Sequence, residues 1–336
     1  MNGDDMTNDE HDPVDELEAL LALDALDADE QVDAEHAIGT FVPGLADVTA
    51  LLAETAAAPP PPQLRSSALA AAVAERPAGS SVDAVDPAEP IDAFAWFIAD
   101  FKALLDTLSD DDWARPAHGA YGTVHDVVAH LVGIEQVMLG WCGAADLVDA
   151  PDHIEATRST VEGLAPLPGP ELAARWHGVA VAALEAARAA DPARPVVAHD
   201  IPTDVDGALV LRSFELWSHA DDIRRATDRE IPAPDPAAMS LLSQRLLRVA
   251  ALAVAFRGVE LPAGTARFVL TGLGGGTYDV ELGGSGPIET TIVADVVDLC
   301  RVAARRLAVD ELAWASDGDP ALADLLLANI DAFARD

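Results

Sequence analysis

The spacing of apolar residues changes once along the chain, and this change constrains the fold class. From Ile91 to about Phe256, apolar side chains recur every three or four residues, which is the period of amphipathic helices. The period then shortens to two over Ala266–Leu270 and Thr277–Leu282, which is typical of half-buried strands. A helical region followed by a mixed one predicts an α+β multidomain protein.

Residues 91–230 are predicted to form a four-helix bundle. Thr123 is a good N-cap, and Asp126 three residues later completes a capping-box variant at the start of the second helix. The predicted helices cover Phe94–Leu108, Thr123–Cys142, Gly169–Ala190 and Ala208–Ala226. Four helices in about 140 residues are typical of a bundle.

Residues 231–336 are predicted to form a small α+β domain. A glycine-rich segment, Gly272–Thr277, contains G-x-G, but a strand follows it where a dinucleotide site needs a helix, so we interpret it as a hairpin loop. A third strand is predicted over Ile288–Ile292. The predicted helices are Pro236–Phe256, Val296–Leu307 and Pro320–Ala334.

The N-terminal region differs from the rest of the chain in the length of its predicted helices and in its composition. Short amphipathic helices are predicted in residues 1–76, which we assign to a small all-α module. Residues 77–90 are rich in Pro, Gly, Ser and Asp, as interdomain linkers are.

The charge balance excludes several functions. Acidic residues outnumber basic ones 58 to 20, for a formal net charge of -38, so the surface repels nucleic acid and anionic lipid. No secretory signal or membrane-spanning stretch is recognised, so we expect a cytoplasmic protein. The two cysteines, Cys142 and Cys300, are too few for a disulfide framework and are predicted to be buried thiols.

Three side chains form the strongest candidate site. Glu215 and His219 are four residues apart and therefore leave one face of a helix. His130 lies on the apolar face of another helix and would enter the bundle core from the opposite side. Two imidazoles and one carboxylate suit a divalent cation, and they leave an open fourth position on zinc, as in catalytic sites.

Other interpretations of these residues stay open at this point. His130 also fits a hydrogen-bonded core histidine, with Glu215 paired to Arg212, Arg224 or Arg225. If a metal is bound, Asp126 and Asp222 are the expected acceptors for the imidazole N–H groups. Five other histidines are expected at the surface or behind the ligands, namely His118, His125, His153, His177 and His199.

Two segments resemble the mycothiol-dependent maleylpyruvate isomerase superfamily. They are DWARPAHGAYGTVHDVVAHLVGIE and LRSFELWSHADDIRRATDR. The resemblance implies a DinB-like bundle and a zinc site formed by His130, Glu215 and His219. TTIVADVVDLCRVAARRL and DELAWASDGDP extend the resemblance to that family's sterol-carrier-like α+β domain.

The resemblance also implies a mechanism. A mycothiol thiol would bind at the open position, lose its proton and attack an electrophilic substrate. An arginine of the C-terminal domain would hold an anionic substrate, for which Arg306 is the first candidate and Arg305 the second. Tyr121-Gly122 stands where the family usually has Gly-Trp, so we expect a differently shaped substrate pocket.

Residues 15–73 resemble a different family, the zinc-binding anti-sigma domains. The resemblance implies an extracytoplasmic-function sigma factor as a partner of residues 1–76. That family's H-x3-C-x2-C motif falls at His36, Thr40 and Pro43, so both metal cysteines are absent and no redox switch is expected. An acidic helical extension without a specific partner is the alternative.

These observations support three functional hypotheses. The first is an isomerase or S-transferase that uses a divalent metal, zinc or another, and mycothiol to act on a small electrophile. The second is an anti-sigma-like regulator whose metal domain senses a thiol or ligand. The third is a stress-related binding protein with a structural metal site.

Overall fold

Helices dominate the first part of the described chain, and a sheet with three helices forms the second. The structure is a computed structural model, and it describes residues 82–146, 153–198, 201–332 and 334. All of these residues belong to one compact unit, residues 65–336. The module predicted for residues 1–76 lies outside the described residues.

Eight α-helices occur within the described residues, and we number them in chain order. They are α1 (Pro90–Leu105), α2 (Val124–Trp141), α3 (His153–Leu164), α4 (Gly169–Ala189), α5 (Val205–Ala226), α6 (Pro236–Phe256), α7 (Val296–Ala303) and α8 (Pro320–Leu327). Together with the sheet described below, they confirm the predicted α+β fold class. The predicted domain boundaries stay predictions.

Helices α1, α2, α4 and α5 form the bundle. Helix α1 contacts α4 and α5, and α2 contacts the same two helices. Phe94, Phe97 and Phe101 of α1 are buried, and the Phe101 ring lies 4.7 Å from the ring of Trp176 on α4. Aromatic side chains at helical spacing thus fill the space between the four helices.

The start of α2 is the predicted capping box. The Thr123 hydroxyl accepts from the Asp126 backbone N–H, and the Asp126 carboxylate accepts from the Thr123 backbone N–H. Because this reciprocal pair satisfies two end groups of the helix, it fixes where α2 begins. Helix α3 was not predicted, and it packs against α2.

Eight strands occur in the described residues. They are β1 (Pro116–His118), β2 (Gly122–Thr123), β3 (Pro195–Ala198), β4 (Ile201–Asp204), β5 (Thr265–Thr271), β6 (Gly276–Glu281), β7 (Ile288–Asp295) and β8 (Trp314–Gly318). Strands β1 and β2 form one small antiparallel pair, and β3 and β4 form another. Neither pair was predicted.

The four remaining strands form one sheet in the order β6-β5-β7-β8. Strands β5 and β6 are antiparallel, as the hairpin prediction required, whereas β5 and β7 are parallel. The hairpin glycine Gly274 has φ +83°, and a Cβ there would come 2.5 Å from the Pro236 carbonyl oxygen. The glycine therefore permits both the turn and the close approach of α6.

Helix α7 is shorter than predicted. It begins at the N-cap Asp295 and ends at Ala303, not at Leu307. Arg305 then adopts a left-handed conformation with φ +57°, which an α-helix cannot continue through. Arg306 consequently lies beyond the helix.

Helix α6 joins the two regions. It contacts α1 and α5 of the bundle and also β6, α7 and α8. Among the described helices, it alone has the length and composition to cross a membrane. Leu242, Leu247 and Val254 are nevertheless buried within the protein, as in the core helices of globular proteins, which pass the same test.

Residues 82–88 run along the sheet region before the chain enters the bundle. The Val82 N–H donates to the Thr277 hydroxyl at 2.8 Å, and the Ala88 N–H donates to the Ala237 carbonyl at 3.0 Å. Between them, the Ser240 hydroxyl donates to the Val85 carbonyl at 2.7 Å. We call residues 82–88 the strap.

Candidate metal centre and adjoining cavity

The three predicted ligand residues converge inside the bundle. His130 projects from α2, while Glu215 and His219 project from α5, which contacts α2. One potential ligand atom from each residue lies within 4.8 Å of the other two. Both histidines are buried and Glu215 is partly buried, so the group is well shielded from solvent.

His130 is fixed by contacts on both ring nitrogens. Its Nδ1 lies 2.8 Å from the hydroxyl of Thr157 on α3, and its Nε2 lies 3.1 Å from Glu215 Oε1. The prediction that Asp126 supports a ligand histidine is wrong, because Asp126 is engaged in the helix cap at Thr123. Thr157 contacts the imidazole instead.

His219 is held as predicted by Asp222. The His219 Nδ1 lies 3.1 Å from Asp222 Oδ2, one helical turn away on α5. Burial pushes the pKa of Asp222 upward, but hydrogen bonds and charge from His219 and Arg306 outweigh that effect and lower it. An ionised Asp222 orients the imidazole so that its Nε2 is directed away from Asp222.

Glu215 also takes part in a buried ion-pair network. Its second carboxylate oxygen pairs with Arg212, whose guanidinium also donates to Glu135 Oε1 at 2.9 Å. Arg212 and Glu135 are fully buried. Burial raises the pKa of Glu135, and the charge of Arg212 opposes this rise. The sequence left two alternatives for Glu215, an ion pair with Arg212 or convergence with His130 and His219. In the structure, Glu215 takes part in both.

The other arginines weighed as partners of Glu215 lie elsewhere. Arg224 pairs with Asp100 of α1 at 2.8 Å, and Arg225 lies 3.7 Å from Asp221. Arg212 is thus the arginine that shares a carboxylate with the candidate centre.

An aromatic residue that sequence reasoning did not assign to the centre covers it. The Tyr121 ring lies 4.2 Å from the His130 ring, tilted by 31°, and meets the His219 ring edge-on at 5.3 Å. Gly122, at φ +104°, makes the turn that brings Tyr121 there, and a Cβ on it would come 2.7 Å from Asp126 Oδ2. The sequence signal that could have identified Tyr121 is that Tyr121-Gly122 stands where the family usually has Gly-Trp.

His118 and His125, which are outside the predicted ligand set, contact residues distant in the sequence. The His118 ring lies 5.8 Å from His219 and 4.9 Å from Tyr121, so it belongs to the periphery of the centre. His125 contacts the Leu167 carbonyl at 2.9 Å.

Both cysteines are buried, as predicted. Cys142 follows the end of α2, and burial raises its pKa. Burial also raises the pKa of Cys300 to about 12. Neither thiol therefore has the character of a nucleophile.

A cavity of about 320 Å³ adjoins the candidate centre. Glu215, His219 and Tyr121 form part of its wall, and Arg245 and Arg306 supply cations. The rest of the lining comes from β4, α5, α6, the end of α7 and the C-terminal residues, namely Pro202, Thr203, Gly207, Val210, Leu211, Phe214, Ser218, Leu242, Leu246, Val249, Leu252, Ala303, Ala304, Ile330 and Ala334. The cavity is therefore mostly apolar, with its polar groups at a few positions.

The two predicted substrate arginines have different surroundings. Arg306 reaches the cavity and donates to both oxygens of Asp222, at 3.1 and 2.7 Å. Arg305 does not belong to the lining; it pairs with Asp331 at 2.9 Å and is partly exposed. Because α7 ends at Ala303, Arg306 lies beyond the helix, and its role in holding a substrate stays a prediction.

The comparisons with known proteins agree with the motifs of the helical region. Residues 94–224 match the family model of the mycothiol maleylpyruvate isomerase N-terminal domain. This match includes His130, Glu215 and His219, and it supports the superfamily that the sequence motifs predict.

Two solved structures of the mycothiol-dependent maleylpyruvate isomerase, one of them a histidine-to-alanine mutant, are similar to this chain. Each is 14% identical with a TM-score of 0.48, and the similarity covers 67% and 66% of this chain and 90% and 89% of the other chains. No match was found among curated proteins. The anti-sigma-like module lies outside the family match and stays a prediction.

Proposed function

We propose that the protein is a mycothiol-dependent isomerase or S-transferase that binds zinc, or another divalent metal, through His130, Glu215 and His219. The observation that carries the proposal is the convergence of these side chains at the wall of a cavity. Its substrate would be a small electrophile. Such an enzyme would act in the cytoplasm, where low-molecular-weight thiols are kept reduced.

The arrangement of the three side chains fits a cation. Zinc bonds of about 2.0–2.2 Å place neighbouring ligand atoms about 3.3 Å apart in a tetrahedron. His130 Nε2 and Glu215 Oε1 are 3.1 Å apart, and all three groups lie within 4.8 Å. Small side-chain movements would therefore complete the site.

The groups behind the ligands also fit. Thr157 and Asp222 engage the Nδ1 atoms of His130 and His219, so the Nε2 atoms would be the ligands, and the Nε2 of His130 already faces the Glu215 carboxylate. When both carboxylates are ionised, Arg212 offsets one of the two negative charges of Glu135 and Glu215. The remaining negative charge favours a cation at the centre.

The chemistry would take place where the centre meets the cavity. When bound, a divalent metal lowers the pKa of a thiol, and mycothiol would supply that thiol. Glu215 and His219 line the cavity, so a ligand there can approach the centre directly. Tyr121 covers the centre and would limit the access of water to it.

Metal content tests the first part of the proposal. Purified protein should contain about one zinc per chain by elemental analysis. Glu215→Gln and His219→Gln should each lose the metal while retaining the helical circular dichroism of the wild type. His177→Ala, which changes a histidine of α4 outside the centre, should retain it. Metal retention by both Glu215→Gln and His219→Gln would contradict the assignment.

Thermal stability with mycothiol tests the second part. A ligand that binds only the folded state raises the unfolding midpoint by mass action. Mycothiol should raise the midpoint of the zinc-loaded wild type and have little effect on His219→Gln. Glutathione serves as the thiol control and should have a smaller effect. An equal midpoint with and without mycothiol would refute its use as cofactor.

A further inference from the structure

Among the described residues, Arg245 is a cavity cation without a close anionic partner. It lies on α6, within a row of cavity-lining residues that includes Leu242, Leu246 and Val249. In the part of the chain that the structure describes, Arg245 forms no hydrogen bond and no ion pair. Its charge interacts with the carboxylate of Asp206, but the two side chains do not form an ion pair.

A cavity arginine without an ion pair is unexpected in so acidic a chain. With 58 acidic and 20 basic residues, most arginines have carboxylates within reach. Arg212, Arg224, Arg301 and Arg306 all pair with buried or partly buried carboxylates. A half-buried arginine that lines a cavity without such a partner is therefore available to a ligand.

Arg306 is less available, although it lines the same cavity. Its Nε and Nη2 donate to Asp222, and its Nη1 donates to the Ala304 carbonyl. All three guanidinium nitrogens are therefore engaged. A substrate anion could bind Arg306 through these donors only at the expense of the pair that orients His219 through Asp222.

The rest of the wall restricts what Arg245 can bind. Aliphatic and aromatic side chains, including Leu211 and Phe214 of α5 and Leu246 of α6, surround the space. Burial of hydrocarbon against such walls is favourable, whereas a second charged group placed there would lose its hydration without a partner. The cavity therefore suits a molecule with one anionic end and an apolar body.

We propose that Arg245 is the specificity-determining residue of the cavity and that the small electrophilic substrate is a carboxylate monoanion with a mostly hydrocarbon body. Arg245 would bind the carboxylate, and the hydrocarbon would lie along the apolar wall toward Glu215 and His219. The role as a substrate site depends on the proposed function. Carboxylate binding by Arg245 is a separate property that does not require the metal.

Hexanoate binding to the full-length protein tests the proposal. Calorimetric titration is performed on protein treated with EDTA, so that a bound metal cannot provide the carboxylate site. Hexanoate should bind the wild type saturably, and Arg245→Gln should weaken this binding about tenfold or more, because a charge-assisted hydrogen bond is lost. Hexanamide, the neutral isostere, should bind the wild type about as weakly as hexanoate binds the variant.

Arg248→Gln is the matched control. Arg248 lies on the same helix, is exposed and does not line the cavity. Its substitution should leave hexanoate affinity within about twofold of the wild type, since solvent screens its charge. Arg306→Gln should weaken hexanoate binding less than Arg245→Gln does.

Three outcomes would overturn the proposal. They are undetectable hexanoate binding to the wild type, equal binding of hexanoate and hexanamide, and unchanged affinity in Arg245→Gln. A protein that binds hexanoate through Arg245 but fails the metal and mycothiol tests would retain the anion site and lose the proposed enzymatic function. The two failures are therefore distinguishable.

Discussion

At the scale of single residues, the buried charges of Arg212 and Glu135 are the most consequential. Both side chains are fully shielded from solvent, and Arg212 pairs with Glu215 as well as with Glu135. An isolated buried charge costs several kcal/mol, about as much as the whole margin that keeps a domain folded. The two residues therefore depend on each other, and Glu215 is oriented in part by Arg212.

Removal of one member of the pair should be more harmful than removal of both. Arg212→Met leaves Glu135 buried without its partner and should lower the free energy of unfolding by about 3–5 kcal/mol. Arg212→Met combined with Glu135→Met should recover part of that loss, because no unpaired charge remains between them. Urea unfolding followed by circular dichroism measures both effects.

The exposed pair Arg188–Glu185 on α4 provides the control. Its side chains are 49% and 63% exposed, and Arg188→Met should cost less than about 1 kcal/mol. A loss of stability in Arg212→Met as small as that in Arg188→Met, or a double variant no more stable than Arg212→Met, would contradict this dependence.

Individual residues also show what the sequence could predict about the site. The four-residue spacing of Glu215 and His219 and the apolar face that holds His130 led to the three convergent side chains. Thr157 and Glu135 were not predicted, because each meets its partner only through packing between separate helices. One-dimensional periodicity does not contain that information.

At the scale of elements, the contact between α2 and α3 supports the candidate centre from behind. Gly133 of α2 faces Thr157 of α3, and a Cβ on Gly133 would lie 2.7 Å from Thr157 Cγ2 and 3.2 Å from its Cα. The same threonine contacts His130 Nδ1. The close approach of the two helices thus determines where the Thr157 hydroxyl lies.

Gly133→Ala should therefore destabilise the protein although alanine favours helices. Overpacking against Thr157 should cost about 1–3 kcal/mol and displace its hydroxyl from His130. Gly178→Ala on α4 is the control: nothing lies within 4 Å of its Cβ, so it should stabilise by about 0.4–1 kcal/mol. Thermal unfolding of both variants gives the comparison, and equal signs would refute the packing argument.

The elements predicted best are those with long, regular apolar patterns. Helix α6 was predicted at its observed bounds, Pro236–Phe256, and the predicted start of α4 at Gly169 is also observed. Helix α3 has no buried apolar stripe of comparable length, and the strands of β1–β2 and β3–β4 are too short to display a period. These strands contact α2 or α5, which is tertiary information that a short sequence window does not contain.

At the scale of the whole molecule, two arginines connect the sheet region to the bundle. Arg301 of α7 pairs with Asp221 of α5 at 3.1 Å, and Arg306 pairs with Asp222. Asp221 is 2% exposed. Burial raises its pKa above the ordinary 3.8, and Arg301 opposes the rise.

This interface predicts a pH-dependent effect of Arg301→Gln. A raised pKa in the folded state means that stability falls as pH rises from 3.8 through the folded pKa. Without Arg301 the pKa of Asp221 in the folded state rises further, so the free energy of unfolding keeps falling up to a higher pH. The variant should resemble the wild type near the ordinary pKa of Asp221 and be less stable by about 2 kcal/mol at neutral pH.

Urea unfolding at a series of pH values measures the difference in the free energy of unfolding between Arg301→Gln and the wild type. Arg267→Gln, which breaks an exposed pair with Asp279, should show no widening gap from about pH 5 to about pH 8. A constant difference between Arg301→Gln and the wild type would contradict the assigned role of Asp221.

The strap of residues 82–88 determines how force would reach the bundle. Its hydrogen bonds to Thr277, Ser240 and Ala237 attach it to β6 and α6 before α1 begins. Tension applied at Val82 would first peel the strap from the hairpin and from α6. The helices that carry His130 and Glu215 would bear load only after those bonds had broken. The strap would therefore protect the candidate centre from tension applied to the chain before residue 82.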